Sequence, residues 1–236
     1  MDQTRIITHA GRRWLVRPSA DPLLADGWPV DQPDRLTLRK RGRRRAVYRL
    51  EAGGRGYYVK TRTGAGLLRS LRARLGFGPG RREWDALLAA RDADLPVPEP
   101  VALALDARET LVTEEVPGAG RLDAYLFERY WPPGPSDPPY PGARPPELVA
   151  ACRRRVVPPA GTLSPRSLAY LLADLLARLA EADLYLPDFH PGNLLLAGAP
   201  GRWRLVLVDL AEAVHPAPAE ATLQHLVQLE HFFEPI

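Results

Sequence analysis

The stretch of sequence that decides the fold is LPDFHPGNLLL, residues 186–196 of 236. It places Asp188 five positions before Asn193, the only asparagine in the chain. Residues 168–179 carry leucines at helical spacing and residues 194–196 are apolar, so we predict a helix, a loop and then a strand. Aspartate and asparagine both favour turns, so their spacing gains meaning only from the elements around it.

The elements on either side of this loop are well defined by their patterns. Ser164 followed by Pro165 predicts a capped helix start. Downstream, a hairpin leads to LVLV, residues 205–208, which ends at Asp209. A last helix is predicted at about residues 219–232. The buried stripe of the helix after Ser164 is predicted to consist of Leu168, Leu171, Leu172, Leu175, Leu176 and Leu179.

The N-terminal part of the chain is predicted to be rich in strands. Residues 10–60 are expected to form strands, with a hairpin that turns at Gly53-Gly54 and ends at Lys60. Further predicted elements are a basic amphipathic helix at residues 64–75, a helix around residues 83–88, and strands near residues 101–105 and 110–116. The first part of the chain is thus predicted to contain strands and a helix, and the second part mostly helices with one hairpin. This order predicts an α+β fold in two lobes.

These motifs resemble the protein-kinase-like superfamily, in which a D-x-x-x-x-N loop is followed by a metal-binding aspartate after the next hairpin. The loop is most similar to that of the lipopolysaccharide core kinases (heptose and Kdo kinases) of Gram-negative bacteria. It also resembles aminoglycoside and choline phosphotransferases. The resemblance extends over about residues 35–230. It implies a protein-kinase-like two-lobe α+β fold, with a β-rich N-lobe in residues 1–116 and a reduced, mainly helical C-lobe in residues 117–236.

The resemblance assigns roles to the loop and to the aspartate that follows it. Phosphoryl transfer depends on positioning and charge neutralisation. Asp188 is expected to be the catalytic base or to orient the acceptor hydroxyl. Asn193 and Asp209 are expected to bind Mg²⁺, which prefers oxygen ligands. The implied nucleotide is ATP. His190 is expected to brace the loop.

The N-lobe is expected to supply the nucleotide site. Lys60 ends the run YYVK and matches the kinase lysine that pairs with ATP phosphates. Of the 32 basic residues only Lys40 and Lys60 are lysines, which suggests that position 60 requires a compact ammonium group. Glu83 matches the acid that holds this lysine. Glu51, Asp85 and Asp92 remain alternatives for that role.

The segment after the strand near residues 110–116 resembles the kinase hinge. Glu114, Glu115 and Val116 are therefore expected to bind adenine, through backbone hydrogen bonds.

Three departures separate the chain from protein kinases. The glycine-rich loop is reduced to Gly42 among arginines, so phosphate contacts are expected from backbone groups or from residues 43–45. Leu186 and Pro187 replace His-Arg before the catalytic aspartate, and Asp209-Leu-Ala replaces Asp-Phe-Gly. These differences favour a glycolipid or small-molecule kinase. They also leave room for a weakly active enzyme.

Charge and composition bear on location and partners. The net charge is +4, one cysteine (Cys152) excludes an internal disulfide, and no apolar run reaches the length of a membrane span. We therefore expect a cytoplasmic protein, with possible peripheral binding at the inner membrane. Arginine clusters at residues 39–45, 62–82 and 153–155 are either solvated surface or attract an anionic membrane or glycolipid. No nucleic-acid reader motif accompanies them.

The function that this resemblance implies is ATP-dependent phosphorylation of a heptose or Kdo hydroxyl in the lipopolysaccharide inner core. Phosphorylation of a small molecule such as an aminoglycoside or choline, and a pseudokinase-type binding module, are the alternatives. Residues 131–146 hold eight prolines and are expected to form an insertion or interlobe loop.

Overall fold

The computed structural model describes residues 4–43, 45–62, 78–106, 108–130, 163–199 and 201–233. The chain divides into two units. The first comprises Met1–Pro117 and Asp209–Ala213, and the second comprises Gly118–Val208 and Val214–Ile236. The predicted helix at residues 64–75, the proline-rich residues 131–146 and the arginine cluster at residues 153–155 lie outside the described residues.

The first unit is built on an antiparallel sheet with the strand order β1-β2-β6-β7-β5-β4-β3. The strands are β1 (Arg5–His9), β2 (Arg12–Val16), β3 (Thr37–Arg41), β4 (Arg45–Ala52), β5 (Arg55–Arg62), β6 (Pro100–Ala104) and β7 (Thr110–Glu114). The predicted hairpin joins β4 to β5. Gly53 and Gly54 both have positive φ, 56° and 73°, as a two-residue type I′ turn requires.

The prediction of strands throughout residues 10–60 is wrong for the part between β2 and β3. This part forms 3-10 turns at Pro18–Ala20, Pro29–Asp31 and Pro33–Arg35, and a short helix α1 (Asp21–Ala25). Each of these turns begins with proline at one of its first two positions. Proline has a fixed φ and no N–H, so it suits the first turn of a helix and disrupts a central strand.

One face of the sheet carries an apolar core that fixes the orientation of β5. Trp14 packs edge-on against Trp28 at 5.0 Å, in a buried cluster that includes Tyr57 and Val59. Alternate residues of a strand point to opposite faces. Lys60 therefore projects from the other face.

Among the described residues, the second unit contains three helices and a small antiparallel sheet in the strand order β10-β9-β8. Helix α2 (Pro79–Asp92) belongs to the first unit, and the second unit contains α3 (Leu122–Tyr130), α4 (Pro165–Glu181) and α5 (Ala221–Phe233). The small sheet consists of β8 (Gly120–Arg121), β9 (Leu194–Ala197) and β10 (Arg204–Leu207).

The predicted start of α4 is confirmed, because Ser164 Oγ accepts a hydrogen bond from the Ser167 N–H at 3.0 Å. Its predicted apolar stripe is confirmed in part. Leu168, Leu175, Leu176 and Leu179 are buried. Leu171 and Leu172 are half-buried, because the apolar stripe of a helix is broader than the strip that its neighbours cover.

Candidate active site

The first unit contains a buried ion pair between Lys60 of β5 and Glu83 of α2. The Lys60 Nζ donates to Glu83 Oε1, and the Glu83 side chain is only 2% exposed. Arg62 lies on the same strand as Lys60, with its Nη2 3.6 Å from Glu83 Oε2. A carboxylate buried this deeply needs cationic partners. The structure therefore brings together the lysine and the acid that the sequence paired.

Two of the acids that competed with Glu83 have other partners. Asp85 accepts from Arg81 Nε at 2.9 Å, one turn away on the exposed side of α2. Glu51 pairs with Arg49 at an exposed position of β4. Neither carboxylate is left for Lys60.

Asp209 belongs to the same unit and is surrounded by cations. Arg45 Nη1 donates to Asp209 Oδ2 at 2.7 Å. Burial would raise the pKa of Asp209, but the charge of Lys60, the Arg45 hydrogen bond and the charge of Arg62 together hold that pKa below its ordinary value. Asp209 is therefore a carboxylate at neutral pH. It has a positive φ of 64°, a conformation that aspartate tolerates better than most residues.

The catalytic-loop candidates lie in the second unit, where Asn193 ends a 3-10 turn (Pro191–Asn193) that leads into β9 and Asp188 lies in the turn before it. Asn193 Nδ2 donates to both the backbone oxygen and Oδ2 of Asp188, each at 3.0 Å. The Asp188 side chain is 67% exposed. The structure thus joins Asp188 and Asn193 directly and leaves the carboxylate open to solvent.

His190 braces this loop, as the sequence predicted. Its Nδ1 accepts from the Gly192 N–H at 3.0 Å, and its Nε2 lies 3.4 Å from Asp188 Oδ1. Since Nδ1 is an acceptor, the proton of a neutral ring resides on Nε2, on the side of Asp188.

A backbone link relates the loop to the strand before Asp209. The Val208 N–H donates to the Asn193 carbonyl at 3.0 Å, and Asp209 is the next residue in the chain. This bond extends the β9–β10 ladder by one pair. Hydrogen bonding therefore fixes the backbone of Asn193 against Val208.

The predicted hinge residues are partly engaged within the sheet. The N–H groups of Glu114 and Glu115 donate to the carbonyls of Glu99 and Gly56, at 2.9 and 2.8 Å. These two donors are therefore not available to a nucleotide. Adenine binding stays a prediction. The backbone groups that remain for it are those of Val116 and the carbonyl groups of Glu114 and Glu115.

The side chains of Glu114 and Glu115 serve the sheet as well. Arg55 Nη1 donates to Glu114 at 2.9 Å, and Arg49 binds both oxygens of Glu115. The Arg49 hydrogen bonds outweigh burial and lower the pKa of Glu115.

Asn193 and Asp209 each offer an oxygen of the kind that Mg²⁺ prefers. No three His, Cys, Asp or Glu residues cluster as a metal site in the part of the chain that the structure describes. Mg²⁺ commonly takes one or two protein oxygens plus phosphates and water. Asn193 uses its amide nitrogen on Asp188, so Oδ1 is the atom that could bind a cation, and Asp209 is ionised.

The sequence did not reveal three residues that contact these groups. Arg45 was noted only as a possible phosphate ligand, and it pairs with Asp209. His225 and Gln228 of α5 hydrogen-bond the backbone around Asp188. Their helical spacing was the only signal in the sequence.

The described helices include none that is both long and apolar enough to cross a membrane.

Comparisons with known proteins support the resemblance. Residues 31–135 match the lipopolysaccharide kinase (Kdo/WaaP) family. No significant match was found among curated protein sequences. A solved structure described as WaaP in complex with acyl carrier protein is 20% identical, with a TM-score of 0.55, and the alignment covers 95% of this chain and 79% of that one. WbdD bound to a kinase inhibitor is 15% identical, with a TM-score of 0.50, over 84% of this chain and 38% of that one.

These findings confirm the predicted family resemblance and the α+β, protein-kinase-like fold. The family match over residues 31–135 supports a phosphotransferase that acts on a hydroxyl group, and the solved structures, at 20% identity or less, show the fold alone. The matched segment includes Lys60, Glu83 and residues 114–116 and ends before the loop of Asp188. The roles of the individual residues therefore stay predictions.

Proposed function

We propose that this chain, whose residues 31–135 match the Kdo/WaaP family, transfers the γ-phosphate of ATP to a heptose or Kdo hydroxyl of the lipopolysaccharide inner core. The observation that carries the proposal is the buried Lys60–Glu83 pair together with an ionised Asp209 among cations. Salt bridges that serve only stability are seldom this buried, because desolvation offsets most of their attraction. A cluster of this kind suits a polyphosphate and its cation.

Each residue has a defined task in this reaction. Lys60, held by Glu83, binds phosphate oxygens of ATP. Asn193 and Asp209 hold Mg²⁺, which when bound neutralises charge on the phosphates. Asp188 accepts a hydrogen bond from the acceptor hydroxyl and then its proton. The sugar oxygen forms a bond to the γ-phosphorus as the bond from that phosphorus to the ADP oxygen breaks.

We further propose that the acceptor is presented at an anionic surface. Strand β3 is an edge strand, exposed at every position, with Arg39, Lys40 and Arg41 in succession. Such a strand favours a phosphorylated glycolipid or the cytoplasmic face of the inner membrane. Replacing Arg39 and Arg41 by glutamine should reduce binding to anionic vesicles at low salt. Unchanged binding would refute this part of the proposal.

The function is tested by incubating the purified protein with labelled ATP, Mg²⁺ and a panel of acceptors. We expect label in lipopolysaccharide core acceptors and none in peptides. Transfer to aminoglycosides or choline alone would identify the small-molecule alternative. The absence of transfer to any acceptor, with no difference between wild type and Asp188→Ala, would indicate a binding module.

A further inference from the structure

Helix α5 provides two side chains that hold the backbone of the Asp188 loop. His225 Nε2 accepts from the Leu186 N–H at 3.0 Å. Gln228 accepts from the Phe189 N–H through Oε1, at 2.9 Å, and donates through Nε2 to the Pro187 carbonyl, at 2.6 Å. Three backbone groups on both sides of Asp188 are thus bound by residues three positions apart on one helix.

The position of His225 suits it to this contact. It is only 2% exposed. Tyr185 stacks on its ring at 5.1 Å and Phe189 tilts against it at 4.8 Å. Burial lowers the pKa of His225 to about 4. The ring is therefore neutral at physiological pH, and its Nε2 remains an acceptor.

The contacts made by Gln228 are matched to the loop in both directions. A glutamine side chain has an NH₂ group that donates and a carbonyl oxygen that accepts. Pro187 has no N–H, so its carbonyl is the backbone group that it can offer to the NH₂ group. A glutamate could accept from Phe189 but could not donate to Pro187. The pairing therefore depends on this side chain and is not a general polar contact.

We propose that His225 and Gln228 are positioning residues that hold the carboxylate of Asp188 in its reactive orientation. This inference rests on the proposed kinase function. The sequence assigned no chemical role to His225, and the structure gives it one through the backbone that it binds. The Asp188 side chain is 67% exposed, so packing does little to orient it, and the backbone hydrogen bonds on both sides of it do so instead.

The test compares Gln228→Met, Gln228→Glu and a control, Gln224→Met, in the full chain. Gln224 lies on the same helix, and its side chain contacts only Glu220 among the hydrogen bonds of the described residues. Amide hydrogen exchange in residues 184–190 is measured first, since it needs no catalytic activity. We expect Gln228→Met to speed exchange at Phe189 by roughly tenfold, from the loss of a hydrogen bond. Gln228→Glu retains an acceptor and should largely restore protection.

Kinetics then separate positioning from structure. We expect kcat of Gln228→Met to fall by roughly tenfold or more while the KM for ATP changes little, because a misplaced base affects the chemical step. If amide exchange at Phe189 is unchanged in Gln228→Met, Gln228 does not hold the backbone of this loop. Faster exchange with unchanged kcat would overturn the positioning role. If the wild type shows no turnover, the proposed function fails. The exchange result still decides whether Gln228 holds the backbone of the Asp188 loop.

Discussion

The charged cluster around Lys60 and the loop of Asp188 are held in place by different means. Glu83 is 2% exposed and is fixed by ion pairs to residues on the central sheet. Asp188 is 67% exposed and is fixed by neutral hydrogen bonds to its own loop and to α5 through the backbone. A nucleotide's charge needs preorganised opposite charge, whereas a base must remain accessible to an acceptor. The two regions should therefore respond differently to substitution.

The largest expected effect follows from Lys60→Met, which should affect stability and activity together. Turnover should fall by about 10³-fold or more, since phosphate charge is left uncompensated. The free energy of unfolding should fall by roughly 3 kcal/mol, because Glu83 is left as a buried carboxylate whose nearest remaining cation is Arg62. Steady-state kinetics and urea unfolding measure the two effects.

A second substitution separates these effects. Lys60→Met combined with Glu83→Gln removes the buried charge and should recover much of the stability without recovering turnover. The control is Arg81→Met, which removes a cation from an exposed ion pair with Asp85 on α2. Recovery of activity in the double variant would show that Lys60 serves only to neutralise Glu83.

Asp188→Asn should reduce activity with almost no effect on stability. Loss of a general base typically costs about 10²–10⁴-fold in kcat. An exposed carboxylate with neutral partners should change the free energy of unfolding by less than about 0.5 kcal/mol. Chemical denaturation beside initial-rate kinetics is the measurement. If Asp188→Asn lost stability but kept normal turnover, Asp188 would serve the fold and not the reaction.

The pH dependence of stability should report on His225. Its pKa is about 4 in the folded protein against an ordinary value of 6.5, so the unfolded chain binds more protons between these pH values. Stability from this group is complete above pH 6.5 and is lost as pH falls toward 4, by up to roughly 3 kcal/mol. Urea unfolding from pH 7 to 4 measures it, and His225→Gln should flatten the slope. An equal slope in both proteins would contradict the burial of a neutral imidazole.

Arg45→Gln should have only a small effect on stability. The pair with Asp209 is partly exposed, at 34% and 24%, and ion pairs in such positions contribute about 1 kcal/mol or less. Lys60 and Arg62 also act on Asp209, so its carboxylate should stay ionised. Thermal unfolding checks the prediction, and a loss as large as that for Lys60→Met would mean that the cluster depends on Arg45.

The sequence predicted most of what lies on regular elements. Strand and helix patterns placed Lys60, Glu83 and Asp209 on or beside regular elements, and the resemblance to kinases singled them out. The start of α4 follows from one serine–proline pair. The turns between β2 and β3 were missed, because the strand prediction did not account for closely spaced prolines. Arg45 and Asp209 are 164 residues apart in sequence, and Leu186 and His225 are 39 apart. No local pattern specifies contacts at such distances.

The most direct test of the account is calorimetric titration of ATP into the protein with and without Mg²⁺, for wild type and for Asp209→Asn. The account predicts that wild type binds ATP more tightly when Mg²⁺ is present, and that Asp209→Asn loses this difference. Equal ATP affinity in both proteins with Mg²⁺, or no binding by wild type, would contradict a nucleotide and cation site at Lys60 and Asp209.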